Sequence, residues 1–208
     1  MRTSFIIAVA SLGLILAAAG CGNAPVTNER AAQETTGETT GSSGAASASL
    51  RGVVDSYKLA HEEIEAEGGE KDAGGYEIGY IVEPAEGWWE GDPGDLTWRG
   101  PRGGETNHIE ILPFDAETGL LVPQASIKLD VYDESGKEIQ SKQLEFYYSE
   151  FYHYANNFSL PKSGKYTLEA EISPPDFRRH GEENGEGKVF TEPVTVKFEN
   201  VEISTKEE

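Results

Sequence analysis

The residues best suited to chemistry in this chain are its four histidines, at positions 61, 108, 153 and 180. His108-Ile109-Glu110 is an H-x-E triplet inside an apolar, β-branched run, and a spacing of two puts both side chains on one face of a strand. Glu150 and His153 fall in the aromatic stretch YYSEFYHYANN, and His180 in the polar run PPDFRRHGEENGEG. His61 stands beside Glu62 and Glu63 in a helical pattern and reads as a solvated helix residue. Imidazole and carboxylate make a donor set suited to iron, copper or zinc. Taken singly, each of these groups reads as an ordinary surface residue, and H-x-E on a strand is a common exposed pair.

No nucleophile or cofactor motif competes with them. The chain has no G-x-S-x-G elbow, no phosphate-cradling P-loop, no H-E-x-x-H and no dinucleotide fingerprint after a strand. Carboxylates are too abundant for a glycosidase pair to stand out. The expectation is a binding protein, not an enzyme. With Lys+Arg 17 against Asp+Glu 37, the net charge is −20 over 208 residues. Such a surface repels phosphate backbones and excludes nucleic acid as a partner. It also suits solubility at high salt. The one cysteine, Cys21, excludes an internal disulfide and any multi-thiolate centre, so a metal must be held by His and carboxylate.

The elements that must position these residues follow in order. Residues 1–20 read as a secretory signal: one Arg, then an apolar run from Phe5 to Ala19 that is too short for a membrane span. Cys21 comes directly after Ala18-Ala19-Gly20 and resembles the lipidated cysteine of a lipoprotein, with Ala18 where Leu is usual. Residues 21–48 carry almost no large apolar side chains, and the composition predicts a disordered tether. Leu50, Val53, Val54, Tyr57 and Ile64 recur at rough helical spacing, so residues 49–74 are expected to hold a short helix and a linker ending the pattern at Gly68-Gly69.

From residue 75 to 204 the period changes to two. Strands are expected at Tyr76–Val82, Asn107–Phe114, Ser126–Tyr132, Lys137–Tyr147, Lys165–Ser173 and around Val194, Val196 and Phe198. Asp133-Glu134-Ser135-Gly136 makes a hairpin turn. Trp88, Trp89 and Trp98 flank an acidic Gly/Pro loop and read as loop anchors or a dimer contact rather than a sugar platform. The aromatics Tyr147 to Tyr154 read as packing, and Asn157-Phe158-Ser159 fits the glycosylation acceptor pattern. Many short strands with turn signals and no long helix predict an all-β protein, an immunoglobulin-like β-sandwich.

Across about 130 residues, from Tyr76 to Ile203, the order of motifs resembles the periplasmic iron-uptake accessory proteins of the Fe2+ transport protein family. The resemblance rests on His108-Ile109-Glu110, on Val122-Pro123 leading to Ile127, and on Glu150 to Asn157 with His153 in register. It continues through Gly164-Lys165-Tyr166-x-Leu168, Pro174-Pro175, Arg179-His180, Glu183, Gly185, Gly187, Pro193 and Val196. That family consists of small immunoglobulin-like, usually dimeric metal-binding proteins working beside an iron permease.

The resemblance implies metal ligands His108, His153 and His180 with the carboxylates Glu110 and Glu150. Iron, copper or both are the implied ions, with zinc as a substitute. The family's Met-Pro-Met is here Leu144-Glu145-Phe146, which removes a soft thioether and weakens Cu(I) preference. The expectation is a lipid-anchored, extracytoplasmic protein, homodimeric, that captures iron for a permease in the inner membrane. Histidine protonation is expected to eject the metal below about pH 6.5. Two other readings stay open: a copper-dependent protein that oxidises Fe2+, and a sandwich that binds a non-metal ligand.

Overall fold

The computed structural model describes residues 43–183 and 187–205. The signal segment, Cys21 and residues 21–42 of the expected tether lie outside the described residues. The chain opens with helix α1 (Ser43–Glu67), 25 residues long rather than short, and it includes the last residues of the expected tether. The expected linker is a strand. β1 (Gly68–Ala73) pairs antiparallel with β2 (Tyr76–Pro84), Ala73 opposite Tyr76. Between them Gly74 and Gly75 both adopt positive φ, 59° and 85°. That is the two-residue hairpin geometry glycine alone enters freely. GGEKDA escapes a periodicity search because β1 is an edge strand, held by backbone hydrogen bonds and burying little.

The Trp-rich segment is also not a loop. β3 (Trp88–Asp92) and β4 (Asp95–Arg99) form a separate two-stranded ribbon turning at Pro93-Gly94. β5 (Asn107–Asp115), β6 (Ser126–Asp133), β10 (Gly164–Ser173) and β11 (Val194–Ile203) lie where the period-two pattern predicts. The expected strand Lys137–Tyr147 is two. β7 (Glu138–Gln143) joins one sheet and β8 (Glu145–Tyr148) the other. The switch is Leu144, whose side chain is buried and whose N–H donates to the Ile127 carbonyl at 2.8 Å. β9 (Tyr152–Phe158) completes the set.

The sandwich is a five-stranded sheet β1-β2-β5-β9-β8 over a four-stranded sheet β11-β10-β6-β7. Its core interleaves Ile109 and Ile111 of β5 with Ile127, Leu129 and Val131 of β6, and with Leu168, Ala170 and Ile172 of β10. Each such side chain contributes about 1.5–3 kcal/mol when fully buried.

β5 is buried on both faces without interruption from Asn107 to Phe114, and its neighbour β9 is nearly so. The second face of β5 carries His108, Glu110, Leu112 and Phe114. Leu112 and Phe114 lie in an apolar cluster with Ala60 and Ile64 of α1, Ile81 and Phe151. Gly79 of β2, opposite Leu112, makes the seat for the helix: a Cβ there would stand 2.4 Å from Cδ1 of Ile64. The helix covers the apolar half of the face, and the polar half, His108 and Glu110, is left to be covered by something else.

Candidate metal centre

Pairing register assembles the polar half. On β2, Ile81 and Glu83 stand opposite Glu110 and His108. On β9, Ala155 and Asn157 stand opposite the same two residues. His153 shares that face by the period of two, and Tyr147 of β8 is its cross-strand partner. Ala155 has only a methyl group, which leaves the space above Glu110 to the imidazoles. Nε2 of His153 and Nε2 of His108 lie 3.7 Å and 3.9 Å from Oε1 of Glu110. The three residues offer ligand atoms all within 4.8 Å of one another, and all three are buried.

Each imidazole is held from outside. Nδ1 of His108 hydrogen-bonds Oδ1 of Asn157 at 2.9 Å. Asn157 is fully buried, and its amide donates to the Glu86 carbonyl at 2.7 Å and to Oε2 of Glu105 at 3.1 Å. With its NH2 committed to two acceptors, Oδ1 of Asn157 must accept, so His108 carries its proton on Nδ1 and turns a lone pair on Nε2 toward Glu110. Asn157 therefore spends its side chain on this network, which corrects the glycosylation pattern read from the sequence. Glu105 in turn takes Arg99 at 2.6 Å, and Arg99 lies over the Trp88 ring at 3.8 Å. His153 stacks on Tyr147 with ring centroids 5.6 Å apart and meets the edge of Phe151 at 5.6 Å.

The electrostatics are those of a site waiting for a cation. Burial, and then repulsion from Glu83, Glu86 and Glu63, pushes the Glu110 carboxyl up to about 9. Burial lowers both histidines, His153 to about 4 with His108 adding to the effect. Without a metal, all three are neutral at pH 7. Oε2 of Glu110 is buried with no hydrogen-bond partner. An orphaned buried carboxyl oxygen costs about 1–3 kcal/mol, and a cation held by the ionised Glu110 and the imidazoles would remove that deficit. The donor set fits a borderline divalent ion such as Cu2+, Fe2+ or Zn2+. A cavity of about 340 Å³ lined by Trp88, Trp89, Trp98, Phe146, Tyr147 and Tyr148 leads to His108 and His153, with Glu86 on its wall.

Two of the five expected ligands are not in this cluster. Glu150 is exposed, and its backbone carbonyl accepts from Oγ of Ser56 at 2.6 Å. Its charge still reaches the site's rim, where it helps raise the carboxyls of Glu63, Glu83 and Glu86 after their own partial burial. His180 is exposed in the stretch between β10 and β11. Burial of Glu110, whose carboxyl is pushed up to about 9, adds a second proton competitor to the histidines expected to set the pH limit.

Asn157, Glu105, Arg99 and the Glu63–Glu83–Glu86 rim are the residues that sequence reading missed. Asn157 had a legible signal, two positions beyond Ala155 on the face of His153. The rim had none, because Glu83 meets His108 only through strand pairing.

Residues 107–203 match the family model described as Fe2+ transport protein. Among solved structures, the fold is shared with a copper-bound variant of FetP from uropathogenic Escherichia coli strain F11, at 17% identity and a TM-score of 0.53 over 67% of this chain and 92% of that one. It is shared also with a copper-bound variant of P19 from Campylobacter jejuni, at 22% identity and a TM-score of 0.52 over 66% of this chain and 96% of that one. No curated protein sequence matches the chain. Over residues 107–203, which include the H-x-E strand, the chain is thus similar to the Fe2+ transport protein family, and it shares its sandwich fold with the FetP and P19 variants.

Proposed function

We propose that this protein is an extracytoplasmic metal-binding protein that captures iron, with copper as a second ion, and supports its uptake by a permease in the inner membrane. The observation that carries this reading is the convergence of His108, Glu110 and His153 within 4.8 Å, buried behind an aromatic mouth. The copper named for the FetP and P19 variants supports copper as one of its ions. In this reading Cys21 is lipidated and holds the chain at the membrane, in the periplasm or at the cell surface. The exposed aromatics Trp89, Trp98, Tyr148 and Tyr152 beside the mouth suit a protein contact, whether with a second copy or with the permease. The work done is binding and handover, without covalent chemistry.

Calorimetric titration with Cu2+, and with Fe2+ under anaerobic conditions, tests the site. The double variant His108→Ala/His153→Ala should lose the tight equivalent for both ions while keeping the far-UV spectrum of a folded sandwich. Unchanged saturation in that folded variant would overturn the assignment.

A further inference from the structure

A second cluster lies at the other end of the same sheet face, where α1 crosses the β1–β2 hairpin. His61 of α1, Glu70 of β1 and Glu77 of β2 offer ligand atoms that also lie within 4.8 Å of one another. Register brings the two carboxylates to the outer face, Glu70 beside Gly79 and Glu77 beside Phe114. Nδ1 of His61 stands 4.0 Å from Oε1 of Glu77. The imidazole is not a free surface group: it stacks on the buried Phe114 ring, with centroids 4.8 Å apart and planes at 26°. The lysines of the same elements are engaged elsewhere, Lys58 with Glu62 at 2.6 Å and Lys71 with the Lys197 carbonyl at 2.5 Å.

We propose that His61, Glu70 and Glu77 form a second, solvent-open site for a divalent transition-metal ion. One imidazole and two carboxylates leave positions for water, which is the pattern of an exchangeable rather than a closed site. The cluster shares no residue with the buried trio, so it stands or falls separately from the function proposed above. Its three ligands come from three elements, and an ion bound to all three clamps α1 onto the hairpin. The site belongs to a part of the chain that precedes the family match at residue 107.

Zn2+ alone is the probe, because it binds such donors without redox chemistry. Calorimetry of the full protein should give two equivalents, the weaker of which disappears in His61→Ala and in Glu77→Gln. The double variant His108→Ala/His153→Ala should retain that weaker equivalent, which separates this site from the buried one. Hydrogen exchange should show Zn2+-dependent protection of α1 from Tyr57 to Glu67 in the native protein, and none in His61→Ala. Zn2+ stoichiometry and α1 protection identical in the native protein and His61→Ala would overturn the proposal.

Discussion

Nδ1 of His108 is joined to Oδ1 of Asn157 across 2.9 Å, and Asn157 is itself fully enclosed. This bond decides which nitrogen of His108 faces Glu110, so the chemistry of a surface-like H-x-E triplet is set by a residue on another strand. Behind Asn157 stand Glu105, Arg99 and Trp88, each tied to the next.

Removing that support should loosen the metal before it unfolds the protein. Asn157→Ala is expected to weaken metal binding by about 10–100-fold, the usual effect of losing a partner that orients a ligand. It should also cost about 1–3 kcal/mol of stability, since the His108 Nδ1–H and its neighbours lose buried partners. Calorimetry and urea unfolding of the same variant separate the two effects.

Glu110 predicts an alkaline rather than a histidine-like pH profile. Its carboxyl holds a proton up to about 9 in the metal-free fold, but must be ionised to bind a cation. Apparent affinity should therefore rise about tenfold per pH unit as pH climbs toward 9. His153, lowered to about 4, interferes only in strong acid. Titrations at pH 7 in buffers of different ionisation enthalpy should report release of about one proton per metal ion. A flat affinity between pH 7 and 8.5 would sink this account.

The same carboxyl makes the metal-free protein less stable as pH rises. With its folded value raised above the ordinary 4.5, Glu110 keeps more protons folded than unfolded between 4.5 and about 9. Stability from this group is present below 4.5 and declines through that window. Glu110→Leu, apolar and without a donor atom for a metal, should abolish metal binding while raising metal-free stability at pH 8 by about 1–3 kcal/mol. Thermal unfolding in the presence of a chelator measures it.

Gly79 should control whether α1 stays docked. Gly79→Val places carbon where Ile64 now sits, 2.4 Å from a Cβ. The cost of such overpacking is about 1–3 kcal/mol, and it should fall on the helix: faster exchange and proteolysis between Tyr57 and Glu67, with the β6 and β10 amides unchanged.

Much of the fold was legible because its signal is local. Period-two runs such as Ile127-Leu129-Val131 need only one buried face to be read, and they lie in the strands expected. His108 and Glu110 on one face follow from the pleat alone. Other elements were hidden: β1 buries little, β3–β4 is a mostly exposed ribbon outside the two sheets of the sandwich, β9 lies in an aromatic run without period-two alternation, and the Lys137–Tyr147 run changes sheets at Leu144 without breaking its pattern. Glu150 and His180 lie exposed, so strand pairing and burial bring together three of the five residues expected from the motifs.

The sequence by itself determined the kind of chemistry available to this protein. One cysteine at position 21, four histidines and a large excess of carboxylate leave only nitrogen and oxygen donors for a metal within the domain. Only the tertiary structure decided which donors meet and in what protonation state. Strand register sets Asn157 and Glu83 on either side of His108, and burial raises the Glu110 carboxyl while lowering His153. Both effects depend on distances between residues far apart in the chain and on the exclusion of water, and neither exists until the sheets have closed.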